Sequence, residues 1–329
     1  MTPARHAYAI ILVEDMRNKI TIIAAALVGL GAIAGLVLLL KDANFAVLNP
    51  MGEIAEKQRT LIYFAAALSV LVVAPVFTML YFIVRNYRDD SKNKKHGKKA
   101  DYKPDWDSHK LAETVWWGVP IALILVLSVV IWFSSHDLDP YKKLSSKQPP
   151  VRVQVVALQW KWLFIYPEQN IASVNTLTIP AHRPINFEIT SDAPMNSFWI
   201  PQLGGQVYAM TGMTTKLHLI AEQAGVYNGS SANISGGGFA GMKFKTYAVS
   251  DADFTAWVQQ TQQANNPLTT DEYTELARPS KNVAPSLFSS ADRGLYATVI
   301  NKYTSSGYDD PWTTGHESTD EHSHEGNHH

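Results

Sequence analysis

The chain has 329 residues, a formal net charge of −1 and no cysteine. The lack of cysteine excludes disulfide bonds, thiolate nucleophiles and every metal site that needs cysteine ligands. The balanced charge gives no overall indication of nucleic-acid binding, and the length allows one or two domains together with membrane spans.

Three long apolar segments without charged residues lie in the first half of the chain, at residues 21–40, 61–84 and 114–133. About 20 apolar residues suffice to cross a bilayer, so each of them predicts a membrane span. The first belongs to an N-terminal segment, residues 1–43, that we interpret as a retained anchor or uncleaved signal. A cleaved signal peptide is the alternative, although its best cleavage site, Ala32-Ile-Ala34, lies inside the apolar run.

Residues 44–136 are predicted to form a transmembrane helix hairpin. Its connecting loop, residues 85–110, contains nine lysine and arginine residues. Positively charged loops stay in the cytoplasm, so the chain after Ser134 is expected on the opposite side, which in a bacterium is the periplasm.

Short segments of alternating apolar residues begin at Val151 and continue to about Val249, with glycine, proline and asparagine between them. This pattern predicts a β-sandwich or barrel, and we place the domain at residues 150–260. Residues 251–263 read as a helix with Phe254, Trp257 and Val258 on one face. A helical extension at residues 261–312 and a disordered tail at residues 313–329 are expected to follow. The predicted fold class is therefore a multi-domain membrane protein with an N-terminal α-hairpin and a C-terminal β-domain.

The stretch Tyr227–Met242, YNGSSANISGGGFAGM, has the outline of a metal-binding loop but lacks metal-binding side chains. Four further stretches have a distinctive sequence and order: Val156–Pro167, Pro194–Gly204, Gln206–Met213 and Gly238–Lys245. Together these closely resemble subunit II of the haem–copper oxidases, in particular the bo-type ubiquinol oxidases, over about residues 44–303. The resemblance implies a cupredoxin-like periplasmic domain and a place in the bacterial inner membrane.

Members of this class that oxidise cytochrome c bind two coppers in a loop that reads C-x-x-x-C-G-x-x-H-x-x-M, with another histidine on a preceding strand. On this pattern Ser231 and Ser235 replace the cysteines, Phe239 and Asn196 replace the histidines, and only Gly236 and Met242 remain. Copper in such sites is held by thiolate and imidazole, so we expect none to bind. Asn233 stands where the family has a glutamate that helps to bind magnesium, and we expect no metal there either.

The resemblance then implies that this subunit carries no redox centre and does not accept electrons from cytochrome c. Haem b, a second haem of o or a type and one copper are expected in subunit I, where ubiquinol is oxidised and oxygen is reduced. The expected partners are subunit I, further oxidase subunits and the lipid bilayer, with no nucleic acid.

Three further residues matter in the family. Glu113 corresponds to a glutamate near the cytoplasmic mouth of a proton channel into subunit I. On its residues alone it is an acid in the first turn of a helix, which the helix dipole favours. Trp160 and Trp162 match an aromatic stretch between the electron donor and the copper; without copper, we expect them to pack at a subunit interface instead.

Other metal-binding signals are weaker. Histidines in the tail (His316, His322, His324, His328 and His329) could chelate metal but are typical of a solvated tail. Met195, Met210 and Met213 suggest copper handling, yet in β-strand context they are expected in the core. The family's acylated cysteine is replaced by Ala43, so no lipid anchor is expected.

Two other functions compete with the quinol-oxidase hypothesis. A membrane-anchored, cupredoxin-like protein that carries copper or assists assembly would have the same layout, but the strands contain no cysteine and few histidines. A true cytochrome c oxidase subunit would need the missing thiolates.

Overall fold

The computed structural model describes Gly31, Gly35, residues 45–87 and residues 107–304. The chain divides into two compact units, Met1–Asn49 and Pro50–His329. The predictions for residues 1–43, including Ala43, for most of the basic loop and for the histidine-rich tail lie outside the described residues. In the first unit, Gly31 and Gly35 are helical and residues 46–48 form a turn.

Two helices of the second unit are long and apolar enough to cross a membrane. Helix α1 spans Glu53–Tyr87 and helix α2 spans Lys110–Asp137, and within the described part of the chain these two meet that criterion. Both extend beyond the apolar runs predicted at residues 61–84 and 114–133. At the domain end, α1 begins with Glu53–Thr60 and α2 ends with Ser134–Asp137, which are more polar than the apolar runs.

The beginning of α1 is inserted into the β-domain. Ile54 and Ala55 are buried, and the Met51 backbone donates to the Gln202 carbonyl at 2.7 Å. Gly204 has a φ of +82°, and a Cβ there would lie 2.6 Å from the Ala55 nitrogen. Only glycine permits both that backbone conformation and so close an approach. Helix and domain are therefore joined without a flexible linker.

The β-domain is a sandwich of two sheets, which confirms the predicted fold class. The strands are β1 (Val151–Leu158), β2 (Lys161–Tyr166), β3 (Ile171–Val174), β4 (Thr176–Pro180), β5 (Ile185–Ser191), β6 (Asn196–Trp199), β7 (Gln206–Ala209), β8 (Thr215–Leu219), β9 (Gly225–Ser231) and β10 (Lys243–Val249). One sheet has the order β3-β2-β1-β5-β8, extended at β3 by the later strand β12 (Ser286–Phe288), and the other has the order β4-β10-β9-β6-β7.

Aromatic side chains fill the space between the sheets. Phe198 and Phe244 stack in parallel with ring centroids 5.3 Å apart, and Trp162 meets both rings edge-on at 5.4 and 5.9 Å. All three are at most 3% exposed. Such pairs add about 0.5–1.5 kcal/mol each beyond the burial of their surface, so this cluster is a major source of the sandwich's stability.

A second core covers the outer face of the first sheet. Every residue of β1, β2 and β3 is buried, including the residues that alternate with Val151, Val153 and Val155. Val156, Leu158 and Leu163 on that face pack against residues from the C-terminal extension, including Tyr296 and Ile300. Arg152 is also buried there and pairs with Glu188 at 2.5 Å.

The sequence predicted a helical C-terminal extension, but the structure has both short strands and helices there. Helix α3 (Asp251–Gln262) buries Phe254 and Val258 as expected. It is followed by β11 (Pro267–Leu268), helix α4 (Thr270–Leu276), β12, β13 (Ser290–Ala291) and helix α5 (Leu295–Asn301). Strand β12 adds to the edge of β3, and β11 pairs with β13. The short strands were missed because their apolar residues are too few to establish a period.

Candidate functional site

The predicted stretch Tyr227–Met242 begins within β9, ends just before β10 and includes a short 3₁₀ turn at Phe239–Gly241. Strand β6 pairs with β9 through Phe198 and Ser231, which brings the strand position Asn196 next to the loop. Asn196, Ser231 and Asn233 are joined by hydrogen bonds, so three of the predicted copper-site positions form one cluster.

Ser231 is the centre of this hydrogen-bond cluster. Its hydroxyl donates to Asn196 Oδ1 at 3.0 Å and lies 3.2 Å from the Asn233 carbonyl oxygen. The Ser231 oxygen accepts from the backbone N–H of Ser197 at 3.3 Å. Asn196 and Ser231 are only 1% and 5% exposed. A buried polar group without a partner would cost about 1–3 kcal/mol, so these mutual bonds are what permits the burial.

The two asparagine amides attach the cluster to the segment before β6. Asn196 Nδ2 donates to the Pro194 carbonyl at 2.7 Å, and Asn233 Nδ2 donates to the Met195 carbonyl at 2.8 Å. Side-chain amides can donate and accept at the same time. These two amides therefore bind the loop to the neighbouring segment.

The remaining predicted positions contribute to core packing and to the backbone hydrogen bonds of the loop. Met242 is 1% exposed and belongs to the inner core, and its carbonyl accepts from the Ser231 N–H at 3.3 Å. Phe239 is half-buried, and its N–H donates to the Gly236 carbonyl at 3.1 Å. The Ser235 carbonyl accepts a hydrogen bond from Trp160 at 3.2 Å. The loop is thus closed by its own backbone.

These side chains do not fit a copper centre. The positions offer two hydroxyls, two carboxamides, one phenyl ring and a thioether, whereas copper of this kind needs thiolate and imidazole. The Ser231 hydroxyl is also already engaged on both its donor and its acceptor side. No cluster of three or more histidine, aspartate or glutamate side chains that could hold a metal is present among the described residues.

The two tryptophans have different surroundings, and the prediction that both lie at a subunit interface is wrong for Trp162. Trp162 is 0% exposed, because its position in β2 directs it into the space between the sheets. Trp160 is half-buried in the turn between β1 and β2 and has a φ of +65°. Its indole N–H binds the loop at Ser235, and the Lys281 ammonium lies 5.3 Å from its ring centroid.

The prediction that Met195, Met210 and Met213 belong to the core is also wrong. Met195 and Met213 are 44% and 53% exposed, and Met210 is partly exposed. All three lie just outside the strands, so the period-two argument did not apply to them.

Glu113 lies far from this loop, at the other end of α2. Its carboxylate accepts from the backbone N–H of His109 at 3.1 Å, while His109 Nδ1 accepts from the Ala112 N–H at 3.1 Å. This reciprocal arrangement caps the first turn of the helix. At 1.5 Å per residue, Glu113 is roughly 36 Å along the helix from Asp137, which adjoins the β-domain.

Asp192 is a structural residue that the sequence analysis missed. Its side chain is 1% exposed and accepts from the Tyr273 hydroxyl at 2.7 Å, Lys302 Nζ at 2.8 Å and the Tyr303 hydroxyl at 2.5 Å. Burial and the bond to Asp192 raise the pKa of Tyr273, so its phenol remains a donor. One carboxylate thereby fastens both α4 and the end of α5 to the sandwich.

A second attachment of the extension, through Lys161, was also missed in the sequence analysis. Lys161 is 1% exposed, and its ammonium donates to the Arg278 carbonyl at 2.8 Å and to the Ser280 hydroxyl. Burial lowers the pKa of this lysine. Both attachments join residues more than 80 positions apart, and no local pattern in the sequence marks them.

The sequence comparisons agree with this architecture. The family described as the periplasmic domain of cytochrome c oxidase subunit II matches residues 166–249, and the cytochrome oxidase aromatic-rich motif matches residues 262–307. The second match covers the extension that forms the outer core.

Relatives that match most of the chain identify the family more narrowly. Cytochrome bo(3) ubiquinol oxidase subunit 2 of Pseudomonas aeruginosa is 47% identical over 82% of this chain and 80% of the relative. Ubiquinol oxidase subunit 2 of Acetobacter aceti is 43% identical over 88% and 91%, and quinol oxidase subunit 2 of Bacillus subtilis is 40% identical over 75% and 76%. Two membrane helices followed by this sandwich define a subunit II of the haem–copper oxidase class. Within that class, the chain belongs to the ubiquinol oxidase subunit 2 family, which confirms the resemblance found in the motifs.

The packing of Trp160 on the loop generates a direct test. A Cβ at Gly238 would lie 2.2 Å from the Trp160 ring, whereas a Cβ at Gly237 would have Lys281 Nζ as its nearest neighbour at 3.5 Å. We expect Gly238→Ala to lower the free energy of unfolding by about 1–3 kcal/mol, as overpacking does. Gly237→Ala is the matched control and should change it by less than about 0.5 kcal/mol. Thermal unfolding of the purified chain in detergent measures both, and equal effects would contradict the described packing.

Proposed function

We propose that this chain is the non-redox subunit 2 of a proton-pumping quinol oxidase in the bacterial inner membrane. The observation that supports this most strongly is the hydrogen-bond cluster of Asn196, Ser231 and Asn233. It occupies the positions where the cytochrome c-oxidising class holds copper. A subunit without that centre offers no route for electrons from a soluble cytochrome, and we propose that Asn233 likewise holds no magnesium.

The electrons then have to come from the lipid phase. Two ubiquinol molecules and one oxygen molecule give two ubiquinone and two water molecules. We propose that this chemistry takes place in subunit I, with haem b, a second haem of o or a type and one copper. Relatives are named ubiquinol or quinol oxidase subunits, which favours quinol over cytochrome c as the reductant.

The role left to this chain is structural. Its helices supply a membrane contact for subunit I and the other subunits, and the joined start of α1 fixes the sandwich above them. The large apolar side chains exposed on α1 and α2, such as Phe77, Trp117 and Phe133, suit contact with lipid or with other membrane helices. We propose that the sandwich caps the periplasmic side of subunit I.

The donor preference of the purified complex tests this function. We expect oxygen consumption with a soluble ubiquinol analogue and none above background with reduced cytochrome c. The haem extract should contain two haems for each copy of this chain. Rapid oxidation of cytochrome c, or purification of the chain with copper and without a haem-bearing partner, would contradict the proposal and favour a copper carrier.

We propose a second role for Glu113, at the cytoplasmic mouth of a proton channel into subunit I. The helix-capping contact with His109 explains why an acid is tolerated there. It does not require a charge, because a glutamine oxygen can accept the same N–H. The two roles can therefore be separated by substitution.

Glu113→Gln keeps the hydrogen-bond acceptor and removes the ionisable group, while Glu113→Ala removes both. If Glu113 delivers protons, both variants should slow quinol-driven oxygen consumption, on the order of tenfold, with haem content and subunit composition unchanged. If it only caps the helix, Glu113→Gln should retain full turnover, which would remove the proton-channel assignment.

A further inference from the structure

The connector between α2 and β1, residues 138–150, follows directly on a membrane helix. The apolar run of α2 ends at Phe133, and the exposed aromatic residues Trp132 and Tyr141 lie before and after the helix end. Tryptophan and tyrosine are enriched where a membrane span meets water. Because the domain matches a periplasmic family, the connector begins at the periplasmic surface of the bilayer.

The connector is rich in lysine, which runs against the usual distribution of charge across a membrane. It contains Lys142, Lys143 and Lys147, whereas positive charges next to a span are normally concentrated in the cytoplasm. The basic loop at residues 85–110 is sufficient to set the orientation of the hairpin. The lysines of the connector are therefore not explained by topology.

Two of these lysines have no acidic partner. Lys142 pairs with Asp137 at 2.7 Å, but Lys143 and Lys147 are exposed and form no ion pair with any described residue. The remaining acid of the connector, Asp139, accepts a backbone N–H within its own turn at 2.9 Å. The connector therefore presents two unpaired ammonium groups at its surface.

A third unpaired lysine, Lys216, lies on the edge strand β8 and is exposed. Burial, and then the positive charges of Lys143 and Lys216, lower the pKa of His218, so both lysines lie close enough to act on its ring. His218 is 6% exposed, and its Nδ1 bonds Asn186 Oδ1 at 2.8 Å. Its Nε2 has no hydrogen-bond partner among the described residues. The connector and β8 thus enclose one unsatisfied ring nitrogen in a positive field.

This unsatisfied nitrogen indicates a ligand. Buried polar atoms are nearly always paired, and an exception can mark a bound water or ion. Lys143 and Lys216 would repel a cation and attract an anion. An anionic oxygen can also accept a hydrogen bond from His218 once Nε2 is protonated. An oxyanion such as phosphate therefore suits all three side chains.

We propose that the connector patch, which we define as Lys143, Lys147, Lys216 and His218, binds the phosphate of an anionic phospholipid of the periplasmic leaflet. The phosphate lies between Lys143 and Lys216, next to His218. Lys147 adds a positive charge along the same connector. The inference rests on the proposed placement of the hairpin in the membrane and not on the electron donor.

The position of the patch favours a lipid over a soluble anion. Trp132 and Phe133 are 65% and 68% exposed at the end of α2, so acyl chains can lie along them. The connector is also held in place, because Leu138 and Leu144 pack against the inner core. A fixed connector loses little conformational freedom when a headgroup binds.

The headgroup and one other occupant can be distinguished by their charges. Phosphatidylethanolamine and phosphatidylcholine bring a positive charge into a positive patch, whereas phosphatidylglycerol does not. The competing occupant is the tail of this chain, residues 305–329, which has six carboxylates and no lysine or arginine. The lipid is favoured because the connector adjoins the membrane helix, and the experiment includes the tail.

The experiment uses the purified membrane complex, stripped of loosely bound lipid and incubated with a photoreactive phosphatidylglycerol. Labelling of residues 138–150 is read by peptide mass spectrometry, with unlabelled lipids as competitors. We expect phosphatidylglycerol to compete at a concentration on the order of tenfold lower than phosphatidylethanolamine or phosphatidylcholine. Labelling should fall on the order of tenfold in the double variant Lys143→Gln/Lys216→Gln, because the phosphate loses two charged donors.

The matched control is the double variant Lys243→Gln/Lys245→Gln. It removes the same two charges from exposed side chains of the same domain, on β10 of the other sheet. This variant should be labelled as the wild type is. A chain truncated after Thr304 should also be labelled as the wild type is, because the tail is not the occupant.

Four results would overturn the inference. They are absence of labelling in the wild type, equal competition by the three lipids, unchanged labelling in the connector-patch variant, and labelling that rises on the order of tenfold when the tail is removed. The last result would assign the patch to the tail. If the complex purified without a haem-bearing subunit, the proposed function would fail while the labelling could still be read.

Discussion

The hydrogen bond from Ser231 to Asn196 determines what the periplasmic domain can do. It joins the last residue of strand β9 to the first residue of strand β6. A serine–asparagine pair is neutral, so it can be buried without the cost of desolvating a charge. It holds the loop in place, and it leaves neither a thiolate nor an imidazole for copper. The domain therefore combines the sandwich fold of its family with hydroxyl and amide groups at these positions.

The surrounding structure makes that shape rigid. The aromatic core between the sheets fixes the strands that bear the loop, and the outer core covers the opposite face of β1–β3. Asp192 and Lys161 attach the extension to the sandwich from two sides. The insertion of Ile54 and Ala55 then transmits the position of the sandwich to the membrane helix. The membrane helix, the sandwich and the C-terminal extension are thus joined by direct contacts.

Much of this organisation can be predicted from the sequence, for identifiable reasons. Apolar runs and the period-two segments depend on neighbouring residues, so α1, α2 and the sandwich were predictable, as were the lost ligands at Ser231 and Ser235. The outer core over β1 could not be predicted, because its covering residues lie more than 100 positions later in the chain. Trp162 was placed at a surface because a motif shared with copper-bearing subunits does not reveal which way a side chain points. The contacts of Asp192 and Lys161 exist only after the chain has folded.

Copper binding by this chain is the most direct test of the account. The purified full-length chain should be incubated with Cu(I) and Cu(II), desalted, and assayed for retained copper and for the spectrum of a mixed-valence pair. The account predicts no copper retained in stoichiometric amount and no such spectrum. Two copper atoms held tightly per chain, with the electron shared between them, would contradict it.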